Sequence, residues 1–392
     1  MKTLINHRLI AALMLILMTS IFTAALAQKK SRLAEKVQAI AMQASNWEIP
    51  SQKASFIIYR NVPALKIEQG GGLAILKDVD FTNGTIEFDV EPADAVKSPF
   101  VTCYFRQQDK NEGECFYLRV GRDDNIVRND AVQYTPILMG VNLWDMMPHY
   151  QGPAQLNNKE WNHIRLVVNG KQMRAYVNNS RRPVLEIPYL EGNTTHGKFA
   201  FEGYGMYANL VIKPDVTDDL PAVAAPDLTN HDANYIRRWL LSGPLPLPEG
   251  RELSGKDLPK DDIRWDSIVA EREGLVNITR RLGGGGDRRY VWLKATIVAD
   301  AAQKNMIQLG FSDEVWIFLN KRMIQVDKNL FLQGMRKNPD GRCAIENSSF
   351  GINLKAGENE LLIGLSNDFY GWGIIARLES MEGIRLVNES QR

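Results

Sequence analysis

The feature that most constrains this chain is a period of two. From Trp47 onward apolar side chains recur at alternate positions in short runs, and turn residues break each run. Thr85 to Glu91 is the plainest case: Ile86, Phe88 and Val90 fall on one face, and Glu87, Asp89 and Glu91 on the other. Successive side chains of a strand point to opposite faces, so this pattern builds half-buried strands rather than helices. Further strands are predicted over 100–107, 115–120, 161–168, 173–178 and 197–212. Gly70-Gly71-Gly72 and Asn83-Gly84 read as turns, and Asn169-Gly170 between two alternating runs predicts a tight hairpin. Many short strands with closely spaced turns predict an all-β sandwich in place of an α/β fold.

The alternation resumes after a break. Residues 214–234 are rich in Pro, Asp and Ala, lack an apolar period and read as a linker. Strands are then predicted over 290–297, 306–311, 315–319, 361–365 and 373–378, with Asn320-Lys321 as a tight turn. The expected organisation is two β-sandwich domains, 47–213 and 235–385, joined by that linker and followed by a tail, 386–392. With 392 residues, 44% of them hydrophobic, the chain has material for two cores.

The first 27 residues have the form of a secretory signal peptide. Lys2 and Arg8 precede a run from Leu9 to Ala24 that is nearly all apolar, and Ala25-Leu26-Ala27 has the small-x-small shape of a cleavage site. The run is short for a membrane span, and no Cys follows it for lipid attachment. The mature protein is therefore expected in the periplasm or outside the cell, with a leading segment at 28–46 of helix-forming composition. A balance of 47 basic against 46 acidic side chains excludes a dedicated nucleic-acid binder, which needs a basic surplus. Cys103 and Cys115 flank a hairpin loop, which in an oxidising compartment invites a disulfide. Face counting opposes it: Cys103 shares the face of Val101 and Phe105, whereas Cys115 lies opposite Phe116 and Leu118, unless a bulge changes the count. Without CxxC or a Cys/His cluster no structural zinc is expected.

Several segments appear in a familiar order: FTNGTIEFDV at 81–90, Phe105-Arg106, FYLR at 116–119, DAVQYTP at 130–136, Gly140, Trp144, and WNHIRLVVNG at 161–170. Through them residues 47–213 resemble the concanavalin A-like lectin/glucanase superfamily, and within it the laminin-G-like domains grouped with bacterial 3-keto-disaccharide hydrolases. The resemblance implies a sandwich that recognises carbohydrate or cleaves 3-keto-glycosides. YVWL at 290–293, GFSD at 310–313, VWIFLN at 315–320, GENELL at 357–362 and Trp372-Gly373 make residues 235–385 resemble the galactose-binding-like jelly rolls appended to secreted glycosidases. Such a domain is often scaffolding.

Strand alternation assembles a candidate site. If Val101, Cys103, Phe105, Phe116, Leu118 and Val120 face the core, then Thr102, Tyr104, Arg106, Tyr117 and Arg119 share the opposite face. Gln133, Tyr134 and Trp144 follow in the next strand and loop, with His149 and Tyr150 beyond. Arginines offer fixed donors to hydroxyls or carboxylates, and aromatic faces stack on sugars. The plainer alternative is a face where Arg and Tyr pack for stability under the 138–160 loop. Glycan recognition is the leading expectation. An elimination at a 3-keto-glycoside would need a base, for which His149, Glu87 and Asp130 are candidates. His163 alternates with Trp161 and Arg165 and reads as structural. A third class is a structural or adhesion module without sugar affinity.

Glu87-x-Asp89-x-Glu91 mimics the acid triplet of laminarinase-type glucanases, yet it sits in an early strand, where alternating surface acids are the plainer reading. No cofactor is expected, although Asp123, Asp124 and Asn125 could give oxygen ligands to calcium in what otherwise reads as a polar turn. Gly283 to Gly286 lacks the ending of a phosphate loop and reads as a flexible turn, with Arg288 and Arg289 on a solvated edge. Trp316 and Trp372 could stack on sugar, but burial is the stronger expectation for Trp316, whose strand is apolar on both faces.

Overall fold

The computed structural model describes residues 37–387, apart from 50, 94–99, 122–128, 158, 285–287 and 333. The signal segment, residues 28–36 of the leading segment, the Asp123-Asp124-Asn125 turn, Gly285-Gly286 and the last residues of the tail lie outside the described residues. The described part of the leading segment is not helical. It holds a two-residue strand, Gln38–Ala39, and a short 3-10 turn, Ala44–Asn46.

The chain is all-β, with antiparallel sheets. The first sheet runs in the order Leu185–Ile187, Gln172–Val177, Asn162–Asn169, Gly84–Pro92, Gly205–Pro214, Val62–Ile67, Ala54–Tyr59. The second runs Val141–Asn142, Val132–Leu138, Gly113–Arg119, Phe100–Gln107, Lys198–Glu202, Ala74–Leu76, Trp47–Glu48. Ile86, Phe88 and Val90 of the first meet Val101, Cys103, Phe105, Phe116 and Leu118 of the second in one core. The alternation read from the sequence is what lets each sheet bury one face.

The second sandwich pairs a larger sheet (Trp265–Val269, Arg238–Ser242, Arg289–Ala299, Gly357–Asn367, Glu314–Leu319, Arg322–Lys328) with a smaller one (Leu275–Asn277, Gly373–Leu378, Gln303–Ser312, Ser348–Leu354). Val291, Leu293, Ile317 and Ile363 fill its core together with Ile307, Leu309 and Ile374. Trp372 is also buried, and its indole N–H donates to the Gly283 carbonyl at 2.7 Å, so it presents no face to a sugar. Trp316 is buried as expected and donates to Glu252.

Three features matter for the site. Residues 214–234 do not swing free: Lys171 N–H donates to the Ala222 carbonyl at 2.9 Å, Ala225 N–H to Pro188 at 3.0 Å, and Leu220 is buried. The two sandwiches also share apolar contacts, since Leu275, Cys343 and Ile375 join the cluster that contains Leu143, Met146 and Met147. Finally, Cys103, Cys115 and Cys343 are free and buried. Cys103 pairs with Phe116 and Cys115 with Tyr104, so the offset of one residue separates the two sulfurs across the sheet.

Candidate functional site

The outer face of the second sheet is set by its register. Thr102 lies opposite Tyr117, Tyr104 opposite Cys115, and Tyr117 opposite Gln133. Tyr104, Cys115, Tyr117, Ile137 and Trp144 form a small apolar cluster on that face. Polar groups are threaded through it. The Arg119 guanidinium donates through Nη1 to the Asp130 carbonyl at 2.7 Å, and through Nη2 to Tyr117 Oη at 3.0 Å and to Gln133 Oε1. Tyr117 donates to Gln133 Oε1 at 2.8 Å, and Gln133 Nε2 donates to the Trp144 carbonyl at 2.9 Å. The amide of Gln133 therefore fixes the loop that carries Trp144. Burial pushes the Tyr117 phenol up and depresses the Arg119 guanidinium, an effect that the nearby Arg342 charge reinforces.

The second sandwich supplies the opposing wall. Phe331 meets Trp144 edge-on at 4.7 Å between ring centroids, Tyr370 meets it at 5.7 Å, and Phe369 stacks on Phe331 at 5.6 Å. Buried amides pin the loop that carries Phe331. Asn329 Nδ2 donates to the carbonyls of Phe311 (2.9 Å) and Arg342 (3.2 Å), and Asn347 Nδ2 donates to those of Asn338 (2.7 Å) and Arg342 (3.0 Å). Asp313 holds the other loop: its carboxylate accepts from the Asp368 N–H and, at 2.9 Å, from the Phe369 N–H. Burial raises the Asp313 carboxyl to about 7.

Gly284 fits this loop closely. A Cβ there would lie 2.2 Å from the Tyr370 carbonyl oxygen, so only glycine permits the approach. The glycine run expected as a flexible turn is, at Gly284, a packing requirement. Of the two arginines expected on a solvated edge, Arg288 is exposed and Arg289 is half-buried, and both are engaged. Arg288 binds Glu314 and Asp368, and Arg289 donates to the carbonyls of Leu282 (2.7 Å) and Gly283 (3.2 Å).

Between these walls lies a cleft of about 650 Å³. Of the residues singled out from sequence, Tyr104, Tyr117, Arg119, Asp130 and Trp144 line it, and Gln133 lies directly beneath. Four others fall elsewhere. Arg106 has φ 50, and this left-handed residue breaks the alternation. Its side chain turns away from the cleft and donates to Thr82 O (2.8 Å), Gly170 O (2.9 Å) and Asn83 Oδ1 (3.0 Å), tying the two sheets together. Tyr134 follows Gln133 directly and so faces inward, where it donates to Glu114 at 2.7 Å. His149 sits in the Pro148–Tyr150 turn, exposed and edge-on to Tyr150, outside the cleft lining. Glu87 lies on the first sheet, paired with Lys213 at 2.7 Å.

Sequence reading missed Phe100, Phe331, Arg336, Asp340, Arg342, Phe369 and Tyr370, all of which line the cleft. Phe100 carried a signal, since it alternates with Thr102 and Tyr104. The others come from loops that only long-range packing brings to the first sandwich.

No protein-family model matches the chain, and no curated protein matches it. Solved structures similar to it include a CBM66 carbohydrate-binding module from Bacillus subtilis (12% identity, 43% of this chain and 95% of that one, TM-score 0.32). Another is domain 4 of an extracellular GH43 arabinanase from Geobacillus stearothermophilus, in complex with arabinotriose (12%, 46% and 82%, 0.31). A third is the galectin LEC-6 of Caenorhabditis elegans (14%, 43% and 96%, 0.25). Each covers less than half of this chain, and likeness at this level carries no statement of function.

Proposed function

We propose that this protein is exported and recognises a glycan in the cleft between its two sandwiches. One observation carries the reading: an aromatic wall of Trp144, Phe331 and Tyr370 faces a floor where Tyr117, Arg119 and Asp130 are locked in a buried hydrogen-bond network. Pyranose rings present apolar C–H faces to aromatic side chains and a rim of hydroxyls to fixed polar groups, and this cleft offers both. The network leaves little to reorganise on binding, which favours affinity. The laminin-G-like and galactose-binding-like resemblances agree with this use, and the signal-like segment 1–27 agrees with export.

Recognition fits better than cleavage of a 3-keto-glycoside. Among the described residues no histidine lines the cleft. Its acids are engaged: Glu202 accepts from Tyr104 Oη at 2.6 Å, and Asp130 lies 3.5 Å from Arg342. A base must stand within reach of the proton it abstracts, and His149 does not stand in this cleft.

The test is titration of the mature chain against an oligosaccharide panel, with products analysed in parallel. The expected result is saturable binding, sugar recovered intact, and an affinity at least 10-fold weaker in Trp144→Ala at unchanged circular dichroism. Binding that ignores Trp144→Ala, or none across the panel, contradicts the reading. Released monosaccharide would establish the hydrolase instead.

A further inference from the structure

Arg342 is 4% exposed, yet among the described residues its guanidinium makes one long hydrogen bond, from Nη2 to Asp130 Oδ2 at 3.5 Å. Its Nε–H is buried without an acceptor. A guanidinium carries five N–H donors, and a buried charge satisfied this sparsely is costly unless something completes it. The side chain is nonetheless held in place. Asn329 and Asn347 clamp its carbonyl, and Cζ lies 5.4 Å from the centre of the Trp144 ring.

The Asp130 carboxylate lies 3.5 Å from Arg342 and 3.9 Å from Arg119, so it serves two buried guanidiniums, and buried Asp145 acts on Arg342 as well. The remaining charges of the lining are Arg336 and Asp340 on the same loop as Arg342, together with Glu202 and Glu68. Asp340 acts on Arg119, Glu202 accepts from Tyr104, and Glu68 is paired with Lys66 at 2.6 Å.

We propose that the cleft selects an acidic glycan, with Arg342 receiving a sugar carboxylate while the ring rests against the aromatic wall of Trp144, Phe331 and Tyr370. The inference builds on the glycan reading above and adds the ligand class. A carboxylate matches the planar fork of a guanidinium with two charged oxygens, whereas a hydroxyl supplies one oxygen and no charge.

The experiment compares calorimetric titration of the full chain with an oligogalacturonate and with the same oligosaccharide after its carboxyls are reduced to primary alcohols. The acid form is expected to bind at least 10-fold more tightly, as the gain of a charged hydrogen bond implies. Arg342→Gln should close that gap. Arg342→Lys, which keeps the charge and loses the fork, should leave part of it and covers the case in which the glutamine variant does not fold. Equal binding of the two oligosaccharides overturns the inference and leaves glycan recognition standing. A gap that survives Arg342→Gln overturns the role of Arg342. If neither sugar binds and neutral glycans fail as well, both readings fall.

Discussion

The two outer faces of the first sandwich make an instructive pair. On the first sheet Glu87, Asp89 and Glu91 line up as the sequence indicated, and each is answered. Lys213 meets Glu87, His163 (2.7 Å) and Asn209 (2.7 Å) meet Asp89, and Tyr59 (2.8 Å) and Arg60 meet Glu91. On the second sheet the polar groups are Arg119, Asp130 and Gln133, buried beneath a second domain, with Arg342 poorly satisfied among them. The first is a charge-balanced surface. The second keeps a buried, sparsely satisfied guanidinium beside an open cleft, where a ligand's polar groups can meet it. Residue type did not separate the two faces; coverage by the second sandwich did.

If that contrast is right, the faces should respond very differently to mutation. The largest effect is expected from Arg119→Ala, which strands the Tyr117–Gln133–Asp130 network without its cation. Breaking such a buried group costs about 3–5 kcal/mol, measurable by chemical denaturation. Arg119→Ala is consequently a poor probe of binding. Gly284→Ala comes next: with the Tyr370 carbonyl 2.2 Å from the new methyl carbon, strain of about 1–3 kcal/mol and weaker glycan binding are expected. Unchanged binding would show that the position of Tyr370 is irrelevant.

Acidity should act in opposite directions on deeply buried carboxylates and on those of the first sheet's outer face. Burial raises Glu114 and Glu191 to about 7, as it does Asp313. Groups raised on folding stabilise most below their unfolded pKa, so this contribution is lost as pH rises from about 4.5 to 7. The loss should be on the order of 3 kcal/mol per group, with Glu114→Gln flattening its share of the slope. Asp89 behaves oppositely. Burial works to raise it, but hydrogen bonds from His163 and Asn209 outweigh burial and hold it below its ordinary value. Its contribution is present above the unfolded pKa near 3.9 and disappears as pH falls through the lower folded value. The smallest effect belongs to Glu87→Ala. As one side of a partly exposed pair it should cost about 0–1 kcal/mol and leave glycan binding unchanged. Loss of binding there would move the site to the other face.

Much of the first sandwich was legible because alternation is local. The strand Gly84–Pro92 and the Asn169-Gly170 hairpin lie where the pattern puts them, and Tyr104, Tyr117 and Arg119 share a face as counted. Counting failed at Arg106, where one left-handed residue shifts the register, and at Tyr134, which cannot share a face with its neighbour Gln133. It could not reach Phe331, Arg342, Phe369 and Tyr370. These sit on loops whose place depends on Asn329, Asn347, Asp313 and Gly284, contacts between distant parts of the chain that no short window of sequence contains.

The most direct test is a crystal structure of the full chain soaked with the tightest-binding oligosaccharide. The expected density is a sugar ring against Trp144 and Tyr370, with polar atoms reaching Arg342. Sugar on the outer face of the first sheet, over Glu87 and Asp89, or against one sandwich alone would contradict a site that both sandwiches build.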